Sequence, residues 1–142
     1  MQLTQHTDYS LRVLIFLALQ KEGERVTIDD ITKRFNIVKN HLIKVVHKLS
    51  KHGYIKTVRG NKGGICLAKP ARQINISDIV KTMEANTEIV HCQKPFCPLN
   101  KECELKEILD EAQAAFFTTL EKYTLADVSQ QPNNIIRLLT LV

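Results

Sequence analysis

From Tyr9 to Leu19 the chain is apolar on almost every side, which predicts a buried helix with Asp8 at its first turn, where a carboxylate complements the helix dipole. Gly23 ends that segment. In VTIDDITKRF, Thr27 and Asp30 stand at capping-box spacing, and Ile28, Ile31 and Phe35 supply an inner face. Asn36 then suits a left-handed turn. In VKNHLIKVVHKLSKHG, Leu42, Val45, Val46 and Leu49 make one apolar stripe. Asn40, Lys44, His47 and Lys51 follow the opposite face, and Gly53 is placed to close the helix. A short helix, an asparagine turn and a helix with a basic outer face predict a helix-turn-helix, although a plain two-helix hairpin shares the pattern.

The segment after Gly53 separates the two. Tyr54 to Val58 and Ile65 to Ala68 alternate as short strands around a loop of Gly60, Asn61, Lys62, Gly63 and Gly64. A hairpin directly after a basic helix makes the unit a winged helix, with Arg59 and Lys62 able to reach phosphates or a minor groove. The loop is no nucleotide cradle: it lacks the GK[ST] ending and does not open a helix. Further on, ELKEILDEAQAAFFTTLEKYTL carries a stripe of Leu105, Ile108, Leu109, Ala112, Phe116, Leu120 and Tyr123. A helix from Glu104 to Tyr123 would be roughly 30 Å long. TLADV predicts a further short helix capped by Thr124, and NNIIRLLTLV is apolar enough to pack down. The expected fold is mainly α with a small β wing. It divides into a winged helix-turn-helix DNA-binding domain (1–76), a connecting helix and cysteine loop (77–103), and a long helix with a C-terminal tail (104–142), a dimerisation helix unless its stripe packs on its own domain.

Charge sharpens this division. The 142 residues carry a net charge of +5, yet residues 1–76 hold 14 Lys/Arg against 5 Asp/Glu, while residues 77–142 hold 6 against 10. Charge alone fits a solvated lysine-rich surface as well as a polyanion contact; together with the winged-helix pattern it makes double-stranded DNA the expected partner of the first half. Lys39, Asn40, His41, Lys44 and His47 are the candidates for groove contacts, with Asn40 able to pair with adenine through its amide. The N-terminus lacks a signal peptide's basic start and no apolar stretch is long enough to span a bilayer, so a cytoplasmic protein with no membrane partner is expected. No nucleophile pairing or substrate motif points to an enzyme.

A reducing cytosol makes clustered cysteines metal ligands or redox groups before it makes them bridges. Cys92, Cys97 and Cys103 lie within HCQKPFCPLNKEC at C-x4-C-x5-C spacing. The residues alone leave three readings open: an iron–sulfur cluster short of its usual fourth thiolate, a zinc site completed by His91, or unliganded thiols. Cys66, inside the second strand, reads as a small, partly buried strand residue.

The N-terminal MQLTQHTDYSLRVLIFLA, the basic helix, the wing RGNKGGICLAKP, ISDIV, the three cysteines and TLADV together resemble the Rrf2 family of bacterial winged-helix regulators over nearly the whole chain. The resemblance implies a homodimer on palindromic operator DNA and a [4Fe-4S] or [2Fe-2S] cluster on Cys92, Cys97 and Cys103. Family members differ in the fourth ligand. Its cluster-assembly regulators use a histidine three positions beyond the last cysteine, where this chain has Lys106, a protonated ammonium. Its nitric-oxide-sensing repressors use an aspartate from the partner subunit, and Asp8 in HTDYS matches that position. The resemblance therefore implies a nitric-oxide-sensitive repressor with Asp8 as the fourth ligand; His91, Glu102 and Glu104 are its rivals. A carboxylate oxygen is a harder and less firmly held partner for iron than a thiolate, which would make one iron the reactive corner. Ile43 stands where the cluster-assembly regulators have an acidic base-reader, implying a different operator. The alternatives are a redox-responsive regulator of the cluster-assembly type and a zinc-stiffened DNA-binding protein without nitric oxide sensing.

Overall fold

A computed structural model describes residues 2–93, 95–99 and 102–130. The first helix, α1 (Gln5–Ala18), begins a turn earlier than the apolar run suggests. Thr4 is its N-cap and accepts from the Thr7 amide at 3.4 Å, so the polar QHT stretch is drawn into the helix. Asp8 stays within the first turn. Val13, Leu14, Phe16 and Leu17 are buried, and the hydroxyl of buried Ser10 donates to the His6 carbonyl at 2.7 Å.

Helix α2 (Ile28–Phe35) opens with the expected capping box. The Asp30 amide donates to the Thr27 hydroxyl oxygen at 3.1 Å, and the Thr27 amide to the Asp30 carboxylate at 2.9 Å. Asn36 takes the left-handed conformation at φ 51°, the one positive φ outside glycine among the described residues. It redirects the chain into α3 (Lys39–Lys51), whose buried residues are the expected Leu42, Val45, Val46 and Leu49. The phenyl rings of Phe16 and Phe35 meet edge to face, 5.9 Å between centroids, and hold α2 against α1. Gly53 (φ 73°) turns the chain out of α3.

The wing is an antiparallel hairpin of β1 (Ile55–Val58) and β2 (Gly64–Leu67), with Lys56 opposite Cys66 and Val58 opposite Gly64. A bridge between Val26 and Ile65 fastens it to the segment before α2. Gly63 is obligatory there: a Cβ would lie 2.4 Å from the Val58 carbonyl oxygen and 2.8 Å from that of Gly60. Helix α4 (Ile76–Met83), capped by Asn75, follows. Residues 85–103 then form a loop without regular structure among those described, and lead to α5 (Glu104–Glu121) and the short α6 (Leu125–Val128).

One buried core runs from Val13 to Leu125. A second bridge, Asn75 to Thr124, brings the chain after α5 back to the winged-helix half, and Leu125 is fully buried in that core. The capping of α6 is as expected, with the Thr124 amide and hydroxyl donating to Asp127 at 2.7 and 2.8 Å. Helix α5 packs along α4, where Lys81 pairs with Glu121 at 2.8 Å and lies over the Phe117 ring. No residue of α5 is buried, however, and Leu105 and Ile108 are 63% and 60% exposed. The stripe exists in the sequence, but among the described residues Leu105 and Ile108 at its N-terminal end stay open while Leu109 is half-buried. The NNIIRLLTLV tail lies outside the described residues. Among those described, no helix is long and apolar enough to cross a membrane.

Candidate nucleic-acid interface and cysteine loop

Burial of the α3 stripe turns the opposite face outward. Lys39, Asn40, His41, Lys44 and His47 are all exposed on it, and Arg59 and Lys62 are exposed on the wing. Lys39 pairs with Asp29 at 2.7 Å, both ends open to solvent. Such a pair is worth about 0–1 kcal/mol, so it is easily exchanged for a phosphate. No side chain caps α3, because Val38 occupies that position. Arg25, which no sequence signal marked, donates from Nη1 to the Lys62 carbonyl at 3.1 Å and so fixes the wing tip.

Two further residues escaped the sequence pattern. Lys48 leaves the outer face of α3 and donates to the Met83 carbonyl at 2.9 Å, placing a cation at the C-terminus of α4. Glu84, the next residue, accepts from the Thr4 amide at 2.7 Å and from its hydroxyl at 3.2 Å. The point where the chain leaves α4 for the cysteine loop is thus held by α3 on one side and by the cap of α1 on the other. His6 sits in the same region: burial and the nearby Lys48 charge push its pKa below the ordinary 6.5, and Glu84 opposes them.

Cys92, Cys97 and Cys103 are unbridged and half-buried. The Cys97 amide donates to the Cys92 carbonyl at 3.1 Å, closing a turn, and Cys103 is the N-cap residue of α5. Three thiols on one loop at the mouth of a helix suit an iron–sulfur cluster by donor chemistry, since thiolates hold such clusters and nearby backbone N–H groups tune them. Among the described residues, no three His, Cys, Asp or Glu side chains, the three thiols included, converge as a group that could hold a metal ion. Lys106 is engaged with Asp110, and that contact, then the Cys92 and Glu88 charges, push its pKa up. A more firmly protonated amine is a poorer ligand. Of the rival fourth ligands, His91 bonds Glu88 at 2.9 Å, while Glu102 and Glu104 are exposed. Asp8 is not brought to the thiols within the protomer; its carboxylate forks onto Arg12, at 2.7 Å to Nη2 and 3.0 Å to Nε.

The model of the Rrf2 family, described as an iron-dependent transcriptional regulator, matches residues 3–131. The chain belongs to the Rrf2 family. It is 43% identical over 144 residues to the HTH-type transcriptional regulator NsrR of Bacillus subtilis, covering 99% of each chain. It is equally identical to NsrR of Bacillus licheniformis, over 99% of this chain and 100% of that one. Among solved structures, CymR, the global cysteine regulator of B. subtilis, superposes with a TM-score of 0.73 at 22% identity, over 92% of this chain and 97% of that one. This Rrf2 protein therefore has the winged-helix fold and is a transcriptional regulator, not an enzyme.

Proposed function

We propose that this Rrf2 regulator is a cytoplasmic, homodimeric repressor that binds palindromic operator DNA and releases it on exposure to nitric oxide. In this proposal an iron–sulfur cluster is held by Cys92, Cys97 and Cys103, with the partner subunit's Asp8 as the fourth ligand. The observation that carries the proposal is the loop of three unbridged thiols in a chain that matches NsrR end to end. When bound, the cluster supplies iron able to react with nitric oxide. The chain's own residues supply the rest. α1 carries Asp8 and packs against both α3 and α4, so a force on Asp8 reaches the reading helix through buried side chains. Glu84 and Lys48 hold the start of the cysteine loop to α1 and α3. On a palindrome the two reading heads must meet grooves about 34 Å apart, and a shift of a few ångströms in one head loses its half-site.

The deciding experiment is anaerobic iron and sulfide analysis of the purified protein, repeated after nitric oxide with operator binding followed in parallel. Iron, acid-labile sulfide and a roughly 5- to 150-fold fall in operator affinity are expected, the usual span of allosteric coupling. A colourless, zinc-loaded protein, or a grip on DNA indifferent to nitric oxide, would overturn the proposal.

A further inference from the structure

The outer side of α3 is not uniformly polar, since Ile43 is 44% exposed on it. Val38, in register with the inward stripe of Leu42, Val45, Val46 and Leu49, is nevertheless 63% exposed because it sits at the N-terminal end of the helix. Ile43 lies one turn from Lys39, Asn40 and His47, so it sits among the residues that would enter a groove. Val38 costs the helix its cap. Thr4, Thr27 and Asn75 accept backbone amides at the starts of α1, α2 and α4, whereas valine is among the poorest residues at this position and, like Cys103 at the start of α5, makes no side-chain cap bond.

An aliphatic side chain can neither donate to nor accept from a base edge. In the major groove the apolar feature available to it is the C5-methyl group of thymine. Against the amino group of cytosine or the O6 and N7 of guanine, the same side chain would strip water from a polar atom and offer it no bond. We propose that Ile43 and Val38 are specificity-determining residues of this regulator, each packing on a thymine methyl group in every half-site. Asn40 and Lys39, between them in sequence, are left to the polar edges and phosphates. This rests on the reading of α3 as the groove helix.

The test uses the full-length, anaerobically purified protein and duplexes selected by that protein from a random pool. Thymines in one selected half-site are replaced one at a time by deoxyuridine, which removes only the methyl group. Wild-type affinity should fall about fourfold at each of two positions, the value of one buried methyl group. Ile43→Ala should become indifferent at one of them and Val38→Ala at the other, each with an unchanged salt dependence, because no phosphate contact is touched. Ile43→Val, which keeps a branched methyl pair, should restore sensitivity. Wild-type indifference to uracil throughout, or variants that keep the full wild-type profile, would overturn the thymine assignment alone. A pool that never enriches would sink the groove-helix reading beneath it.

Discussion

At the scale of single residues, the proposed fourth ligand Asp8 makes only a local side-chain contact within its own protomer. Its fork onto Arg12 is an exposed i,i+4 pair, and such pairs contribute about 0.3–0.5 kcal/mol. Asp8→Ala should therefore leave the thermal midpoint almost unmoved. If the partner subunit's cluster is its real contact, the same variant should lose visible absorbance and iron faster in air and respond weakly to nitric oxide. An unmoved midpoint with full absorbance and an unchanged response would reject the ligand role. A large stability loss with an intact response would make Asp8 a structural residue. The sequence marks Asp8 only as an acid at a helix start, a position most often filled for the dipole. The proposed ligand role would depend on a second chain, which no local pattern encodes.

At the scale of elements, much of the fold was legible because the signals are local. Thr27 with Asp30, Thr124, Asn36 and the wing glycines each satisfy or redirect the backbone within a few residues, and each does so in the structure. Lys48 and Glu84 were not legible, because their partners lie 35 and 80 residues away. The α2 box has a measurable pH signature. Bonds from the Thr27 hydroxyl and amide hold the Asp30 carboxyl below its ordinary 3.8, so the unfolded chain binds that proton more readily. The box therefore stabilises fully above pH 3.8, and its contribution is lost as pH falls through the lower native value. Thr27→Ala should cost about 1 kcal/mol at neutral pH. The deficit of Asp30→Ala against wild type, read from urea midpoints, should shrink below pH 3.8; a constant deficit would show that the box does not titrate. The wing gives a second test. Gly63→Ala places a Cβ against two backbone carbonyls in a peripheral hairpin, so operator affinity should fall more than the thermal midpoint does. Equal losses in both would mean that the loop supports the core rather than the DNA contact.

At the scale of the whole molecule, the two halves have opposite needs. The first half holds the excess of positive charge and a complete inner stripe on α3; the second holds α5, about 27 Å long over its 18 residues, with no buried side chain. Leu105 and Ile108 lie one turn apart at its N-terminal end, beside the cysteine loop where Phe96 and Leu99 are also exposed. Exposed apolar side chains of this kind are costly in a monomer, and in the proposed homodimer a second copy pairing along α5 would cover them. The proposed ligation requires that such pairing also bring the partner subunit's α1 within reach of the thiols. Leu105→Glu combined with Ile108→Glu tests this without disturbing the protomer, because both side chains already face solvent there. In a dimer, the two copies of the double variant would bring four carboxylates into an apolar seam, and each would lose its water there. Sedimentation should show the wild type at twice the chain mass and the double variant at the chain mass, with unchanged helical content. Operator affinity should fall roughly 10²- to 10⁴-fold, the avidity lost when two linked half-sites become separate events. A variant that stays dimeric would move the interface away from α5. One that turns monomeric yet keeps its operator affinity would mean that a single reading head suffices, and a cluster at the dimer seam would then have nothing to align.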